Sequence, residues 1–250
     1  MSTGVRRLRW FLLCAFALPL GAASQPKAQS GLPSLLPAGQ SALSTQMQII
    51  LLLTALTLLP AIVMSLTPFL RISIVLHFLR QAVGTQTTPS NQVLTGLALF
   101  LTLVAIQPLA SQIYKDAWEP VERGEITAAQ AWDIGSKPLK IYLARFVREK
   151  DVKLFLDLTH SPAPRTPADL DLQVLAPAYI LSEMRAGFQI GAVIFLPFLL
   201  IDIVVASVTL SIGMVQLPPA MVSAPFKLLL FVLVDGWNLT VGSLMKGFFA

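Results

Sequence analysis

Four apolar runs divide the chain, and each is long enough to cross a bilayer as a helix. A transmembrane helix needs about 20 consecutive, mostly apolar residues to span the hydrocarbon core. The runs predict membrane-spanning helices at Met47–Leu66, Val93–Leu109, Ile190–Leu210 and Phe226–Leu244. Because neighbouring runs can pair, we expect an all-α integral membrane protein built from two hydrophobic hairpins.

Proline positions predict that the first hairpin is not straight. Pro60 lies inside the first run and Pro68 follows it, so we expect a kink or a break there. The next stretch, Phe69–Leu79, is mainly apolar with helical spacing, which predicts a short helix that extends or folds back from the first. Arg71 and Arg80 most simply anchor the topology of this segment, and the alternative is that they face a pore.

The region between the second and third runs holds most of the charged residues and predicts a small helical subdomain. Apolar residues with the spacing of an amphipathic helix are Leu139, Tyr142, Leu143 and Phe146. Ser136 and Pro138 suit the cap and first turn of this helix, and Asp151 suits the cap of a second one. The prolines of His160–Asp171 predict a loop. No strand alternation is visible in this region.

The N-terminal sequence predicts the orientation. Residues 1–24 carry basic residues, a short apolar core and then small residues, as a signal peptide does, and residues 25–45 have the composition of a flexible leader. The alternative for the first segment is a retained membrane anchor. Cleavage would leave the leader outside, and the positive-inside rule then places Arg71 and Arg80 inside. The subdomain would be extracytoplasmic, and the turn at 211–225 would face inwards.

Composition agrees with a membrane protein of this layout. Of the 250 residues, 55% are apolar and only 12% are charged, whereas soluble domains have about 25% charged residues. The predicted segments are a signal peptide at 1–24, a leader at 25–45, an N-terminal hydrophobic hairpin at 46–109, a hydrophilic helical subdomain at 110–176, and a C-terminal hydrophobic hairpin with a pore loop at 177–250.

The titratable residues argue against several classes of function. The formal charge of +5 includes three arginines of the signal peptide, and no basic patch for nucleic acid remains. The two histidines, His77 and His160, lie in different regions, and the single cysteine, Cys14, lies in the signal peptide. We therefore expect no metal site, no disulfide and no cofactor. Without a Gly-rich phosphate loop or a nucleophile–His–acid set, we expect no enzymatic activity.

Three ionisable residues lie inside or at the edges of the last two apolar runs, namely Asp202, Lys227 and Asp235. A charge at the centre of a membrane helix costs about 2.5–3.5 kcal/mol on insertion scales, so such residues usually face a protein interior or a water path. One interpretation is proton coupling by the acids. The simpler interpretation is pairing between helices or subunits, in which Lys227 offsets an acid.

A second group of candidate residues precedes the third apolar run. Gly187 and Gly191 have G-x-x-x-G spacing, which permits two helices to approach closely. Glu183 and Arg185 flank an apolar face and could pair between neighbouring copies of the chain, or form a solvated pair. These four residues are our interface candidates.

Two stretches, Pro177–Gly191 and Pro225–Trp237, closely resemble the signature stretches of the FliP family of flagellar biosynthetic proteins. The resemblance continues in three further stretches, Phe69–Leu76, Asn91–Thr102 and Ile113–Ala117. It covers roughly residues 46–248. SctR paralogues in virulence type III secretion systems share the two signature stretches, but the signal peptide and the length resemble the flagellar branch more.

The resemblance implies a non-enzymatic core subunit of the type III protein export gate, in the flagellar basal body at the bacterial inner membrane. In this family a pentamer assembles with FliQ and FliR into a closed channel that passes unfolded flagellar proteins. Other export apparatus proteins and membrane lipid would surround it. The first alternative is the virulence (injectisome) paralogue, and the second is a proton or solute transporter that uses Asp202 and Asp235.

The resemblance also implies that the turn after the third run seals a pore. Family members often carry several adjacent methionines there, whereas this turn keeps only Met214, with Met221 beyond the prolines. Methionine is flexible and can fill irregular gaps, but one per copy would need help. The expected constriction is therefore Met214, Val215 and Leu217 together. The alternative is an ordinary hairpin turn.

Overall fold

Every regular element in the described part of the chain is a helix, which confirms the predicted all-α class. The computed structural model describes residues 45–85, 87–162, 164, 166, 169–214 and 218–249. The predicted signal peptide and nearly all of the predicted leader lie outside these residues. The chain divides into two units, Met1–Ile50 and Leu51–Ala250, and the first is described only from Thr45 onwards.

The described helices are α1 (Thr45–Ser65), α2 (Phe69–Val83), α3 (Asn91–Ile113), a π-helical turn (Tyr114–Trp118), α4 (Glu119–Glu122), α5 (Ala128–Phe146), α6 (Glu149–Thr159), α7 (Leu172–Ser211), α8 (Pro219–Leu233) and α9 (Gly236–Phe249).

Helix α1 is apolar on nearly every side, and none of its described side chains is buried. Pro60 lies inside this helix without ending it. The helix instead ends at Ser65, and the next one begins at Phe69. Pro68, the cap residue before α2, has a φ of −59°. A helix that is apolar all round needs lipid or other protein around it.

Helix α2 was predicted only as a short extension of the first span, yet it lies at the centre of the packing. Its buried residues are Ile72, Val75, Leu76, Leu79, Ala82 and Val83. The N-terminal half shares one hydrophobic cluster with α3 and α9, and the C-terminal half shares another with α7 and α8. Burying this one face brings five helices together.

Helix α7 has 40 residues and is therefore about 60 Å long at 1.5 Å per residue, about twice the thickness of the hydrocarbon core. We predicted its start near Ile190, but it begins at Leu172, because the Asp171 carboxylate caps it by accepting from Gln173 N at 3.4 Å. Pro177 and Pro197 lie inside the helix without ending it. The predicted segment boundary at 176/177 thus falls inside α7.

The fourth apolar run forms two helices instead of the single one that hydropathy predicts. Helices α8 and α9 are bent by 62° relative to one another. Asp235 at the bend has a left-handed φ of 51°. Phe231 lies so close to Gly236 that a Cβ added there would be 2.1 Å from the ring. The bend therefore depends on a glycine at this position.

Helix α5 exists but begins earlier than the sequence analysis placed it. Thr127 and Gln130 form a capping box, in which Thr127 N donates to Gln130 Oε1 at 2.9 Å and Gln130 N donates to Thr127 Oγ1 at 3.4 Å. Ser136 and Pro138, the predicted start, lie inside the helix. The capping box outcompetes the later proline because it satisfies two backbone donors at once.

Helix α6 begins at Glu149, and Arg148 occupies its cap position. Asp151, the predicted cap, is instead buried in the first turn, where its carboxylate accepts a hydrogen bond from Ser182 of α7. His160 ends α6 in the left-handed region with a φ of 51°, and the described residues from there to Asp171 form no α-helix, as predicted for this loop.

Three helical stretches of the described chain are long and apolar enough to cross a membrane, namely Gln46–Ser65, Asn91–Glu122 and Leu172–Ser211. The bent pair of α8 and α9 would be a fourth span. Large apolar side chains are exposed along all of these helices. So much exposed apolar surface requires lipid or other subunits, and the fold is that of an all-α integral membrane protein.

Candidate functional site

A buried ion pair joins the two halves of the chain. Glu183 in the N-terminal third of α7 has a fully buried side chain, and Arg71 of α2 donates from Nη2 to its Oε1. The Arg71 guanidinium lies over the rings of Phe248 in α9 and Phe146 in α5, with its Cζ 4.7 Å and 5.4 Å from the ring centroids. One charged contact therefore touches four helices.

Several polar atoms around this pair have no hydrogen-bond partner among the described residues. They are Arg71 Nε, Glu183 Oε2, Tyr142 Oη and Tyr179 Oη. Burial, together with the nearby Glu183 carboxylate, raises the pKa of Tyr142 to about 12. The Tyr142 phenol consequently keeps its proton at neutral pH. Incompletely satisfied polar groups in a low dielectric make this cluster sensitive to any change in charge.

A second contact attaches α6 to the same stretch of α7. Ser182 Oγ donates to Asp151 Oδ2 at 2.7 Å, and Arg185 Nη2 lies 3.3 Å from Asp151 Oδ1. Arg148 N donates to Ser182 Oγ at 3.1 Å, and its guanidinium donates to Gln189 Oε1. Glu183 and Arg185 are thus paired within the chain, and their predicted contact with a neighbouring copy stays a prediction.

The two glycines of the G-x-x-x-G spacing lie where α7 meets α2. A Cβ added at Gly187 would be 3.1 Å from Ile74 Cβ, and one added at Gly191 would be 2.6 Å from Phe78 Cγ. Real Cβ atoms do not tolerate the second distance, so the two helices approach closely only because Gly191 has no side chain. In this structure the close approach is within one chain.

The hairpin of α7 and α8 contains a charged pair between its helices. Lys227 Nζ donates to Asp202 Oδ2 at 2.6 Å, and Ser223 Oγ donates to Asp202 Oδ1 at 2.5 Å. Lys227 is only 5% exposed, so its ammonium depends on this carboxylate for compensation. Both oxygens of Asp202 accept from α8, which ties the two helices together.

Asp235 differs from Asp202 in its surroundings. It is exposed at the bend between α8 and α9, and Asn238 Nδ2 donates to its Oδ2 at 3.1 Å. No basic side chain of the described residues lies within ion-pair distance of it. A role of Asp202, Lys227 or Asp235 in assembly stays a prediction.

The predicted pore loop is described only in part. Met214 follows Gly213, which has a φ of 81°, and its side chain is 41% exposed. Val215 and Leu217 lie outside the described residues. No group of three potential metal-binding side chains occurs in the part of the chain that the structure describes.

Some members of these contacts were missed by the sequence analysis. The sequence interpretation of Arg71 is a topology anchor. An arginine in one apolar stretch and a glutamate in another are candidates for a buried ion pair, and Arg71 and Glu183 form one. Ser223 lies four residues before Lys227, on the same helix face, which is a readable signal. The joining of Asp151 to Ser182 has no such local signal, because these residues are distant in sequence.

The comparisons with known proteins cover most of the chain. The sequence profile of the FliP family matches residues 52–244. The flagellar biosynthetic protein FliP of Pectobacterium carotovorum subsp. carotovorum is 45% identical over 215 residues, which is 86% of this chain and 83% of that protein. The Bacillus subtilis (strain 168) protein of the same name is 45% identical over 205 residues, 82% of this chain and 93% of that protein.

A third relative, from Cereibacter sphaeroides and also called flagellar biosynthetic protein FliP, is 48% identical over 202 residues, 81% of this chain and 67% of that protein. The residues matched by the family profile include both helices of each ion pair described above. Together with the apolar helices, they show that the chain belongs to the FliP family and is an inner-membrane component of the flagellar export apparatus.

Proposed function

We propose that this chain is a non-enzymatic, pore-forming core subunit of the flagellar type III protein export gate. A homo-pentamer with FliQ and FliR would form the channel through which unfolded flagellar proteins cross the inner membrane. The other export apparatus proteins would deliver those substrates. The chain would contribute α7, α8 and the turn between them to the channel wall.

The observation that carries this proposal is the contrast between paired charges and uncovered apolar helices. Lys227 and Arg71 are paired with carboxylates inside the chain, whereas none of the described side chains of α1 is buried and α7 exposes large apolar residues along its length. A transporter would bring its apolar helices together around an internal site. This chain instead leaves them free for neighbouring subunits and lipid.

The proposed layout follows from the predicted orientation. The hairpin at 46–109 and the hairpin at 177–250 would form the membrane-proximal part, and the subdomain at 110–176 would lie on the extracytoplasmic side. The Asp151 contacts to Ser182 and Arg185 support a fixed position of this subdomain on α7.

The mass of the purified assembly tests the function. The full chain, co-expressed with FliQ and FliR and extracted in mild detergent, is expected to elute as one large species. Native mass spectrometry should find several copies of this chain with both partners. A monomer or dimer that leaves the partners behind would contradict the gate, and ion-flux assays on Asp202 and Asp235 variants would then follow.

Replacing Met214 tests the proposed seal. Met214→Ala should increase leakage of small ions through the assembled complex in liposomes severalfold, because a smaller side chain leaves a gap at the constriction. Met184→Ala, on a distant turn of α7, is the matched control and should leave leakage unchanged. Equal leakage of the Met214→Ala and unmodified complexes would remove Met214 from the seal.

A further inference from the structure

We propose that a site between α2 and α8 binds an anionic phospholipid, with the phosphate in a polar cavity and an acyl chain in the adjoining groove. The polar cavity has a volume of about 640 Å³. Its lining includes Arg80, Gln81, Thr85, Ala220 and Lys227. It lies beside the C-terminal end of α2 and the first three turns of α8.

The cavity has an uncompensated positive charge. Lys227 is already neutralised by Asp202. Arg80 donates from Nη1 to Pro89 O at 3.1 Å and to Asn91 Oδ1 at 2.7 Å, and neither acceptor carries a charge. Among the described residues no carboxylate lies within ion-pair distance of Arg80, and its buried Nε has no hydrogen-bond partner. The guanidinium therefore retains both charge and donor capacity for an anion.

The backbone adds to this attraction. Ala220 and Met221 belong to the first turn of α8, and both line the cavity. The N-terminal end of a helix carries a partial positive charge. In α8, Pro219 has no N–H and Met221 N donates to Pro218 O at 3.0 Å, so the attraction comes mainly from this partial charge. An anion in this cavity would meet a guanidinium on one wall and a helix N-terminus on another.

An apolar groove of about 250 Å³ continues from the polar cavity, and Arg80 and Thr85 line both. The apolar lining of the groove is formed by Leu79, Val83, Leu228, Phe231, Val232 and Trp237. Val232 is 69% exposed, so the groove opens towards the surroundings of α8. A free phosphate ion would occupy only the polar cavity, whereas a phospholipid matches the polar and the apolar parts together.

The position along the helices also favours a lipid over a protein segment. The cavity lies where α2 ends and where the candidate span that begins at Asn91 starts. Helix ends of this kind lie at the level of the head groups, and basic pockets between membrane helices on the cytoplasmic side bind acidic head groups. The positive-inside rule assigns this end of the chain to that side.

The first experiment measures head-group selectivity on the unmodified full chain. The delipidated protein in detergent is titrated with phosphatidylglycerol, phosphatidylcholine or inorganic phosphate, and bound ligand is counted by native mass spectrometry. Phosphatidylglycerol should bind at least about tenfold more tightly than the other two, the size expected for a charge-assisted contact. Equal affinity for phosphatidylcholine would contradict the proposed selectivity for an anionic head group. Equal affinity for inorganic phosphate would contradict the proposal that the ligand is a lipid.

The second experiment locates the site. Arg80→Gln should weaken phosphatidylglycerol binding about tenfold, and Arg80→Lys should retain most of it. The matched control is Arg145→Gln, which removes an exposed arginine of α5 that lines neither cavity. Equal losses in the Arg80→Gln and Arg145→Gln variants would overturn the site, because they would reflect general electrostatics. If Arg80→Gln fails to fold, the selectivity measurement and Arg80→Lys still decide the proposal.

A protein occupant is a separate outcome of the same measurements. The titration is repeated on the complex with FliQ and FliR. If lipid binding disappears in the complex and Arg80→Gln weakens the complex itself, a carboxylate of a partner occupies the cavity, and the lipid proposal is overturned. Retained, Arg80-dependent binding of phosphatidylglycerol in the complex would support it.

Discussion

Glu183→Ala is expected to lower the free energy of unfolding by about 3–5 kcal/mol. The substitution leaves the Arg71 guanidinium buried between Phe146 and Phe248 without its counter-charge. Removing one partner of a buried pair costs more than the pair contributes, because the remaining charge keeps its desolvation penalty. Four helices meet at this charge, so the loss should loosen α2, α5 and α9 against α7 together.

Unfolding in mixed detergent micelles measures this effect. Asp157→Ala is the control, because Asp157 is exposed on α6 and its loss should change stability by less than about 0.5 kcal/mol. The double substitution Arg71→Met with Glu183→Leu should recover much of the stability, since it replaces the pair with apolar groups. If the stability losses of Arg71→Met alone and Glu183→Leu alone add up to the loss of the double substitution, Arg71 and Glu183 are not coupled, and the buried contact is contradicted.

Gly191→Ala is expected to destabilise the chain by about 1–3 kcal/mol, although alanine favours a helix over glycine. The added Cβ would lie 2.6 Å from Phe78 Cγ and 2.9 Å from Phe78 Cβ. Phe78 also stacks edge-on against Phe188, with ring centroids 5.5 Å apart, so its ring cannot simply move aside. Helix α2 would have to shift away from α7.

The matched control is Gly96→Ala in α3. A Cβ at Gly96 would meet no atom within 4 Å, so this substitution should stabilise the chain by about 0.5–1 kcal/mol through helix propensity alone. Opposite signs for the two substitutions, measured by the same unfolding assay, are the expected result. A stabilising Gly191→Ala would mean that α2 and α7 are not in close contact at this point.

The sequence predicted the helical class and the positions of the apolar helices because length and hydropathy are local properties. The Thr127–Gln130 capping box is also readable from the sequence, where it competes with Pro138 as the start of the helix. The start of α7 at Leu172 was missed for a similar reason. Pro177 was read as a boundary, although a proline in the second turn of a helix breaks few backbone hydrogen bonds.

Other features could not be read from local patterns. The central place of α2 depends on partners far along the chain, and its apolar residues look like those of any short helix. The bend at Asp235 depends on the Phe231 ring against Gly236, a contact that hydropathy does not encode. Charge alone predicts that Lys227 offsets an acid but leaves both Asp202 and Asp235 open, and the fold selects Asp202. The partner of Glu183 likewise could not be chosen without the fold.

Because α7 is one continuous helix, a rotation of its held part would move its far end. Its first half is held by the subdomain and α2, through Asp151 and Arg71, and its far end carries the turn at Ser211. The part of α7 from Glu183 to Ser211 is about 42 Å long, so a rotation of about 5° at the held end would displace the far end by about 4 Å. Beyond these contacts, Pro197 removes one backbone hydrogen bond from α7.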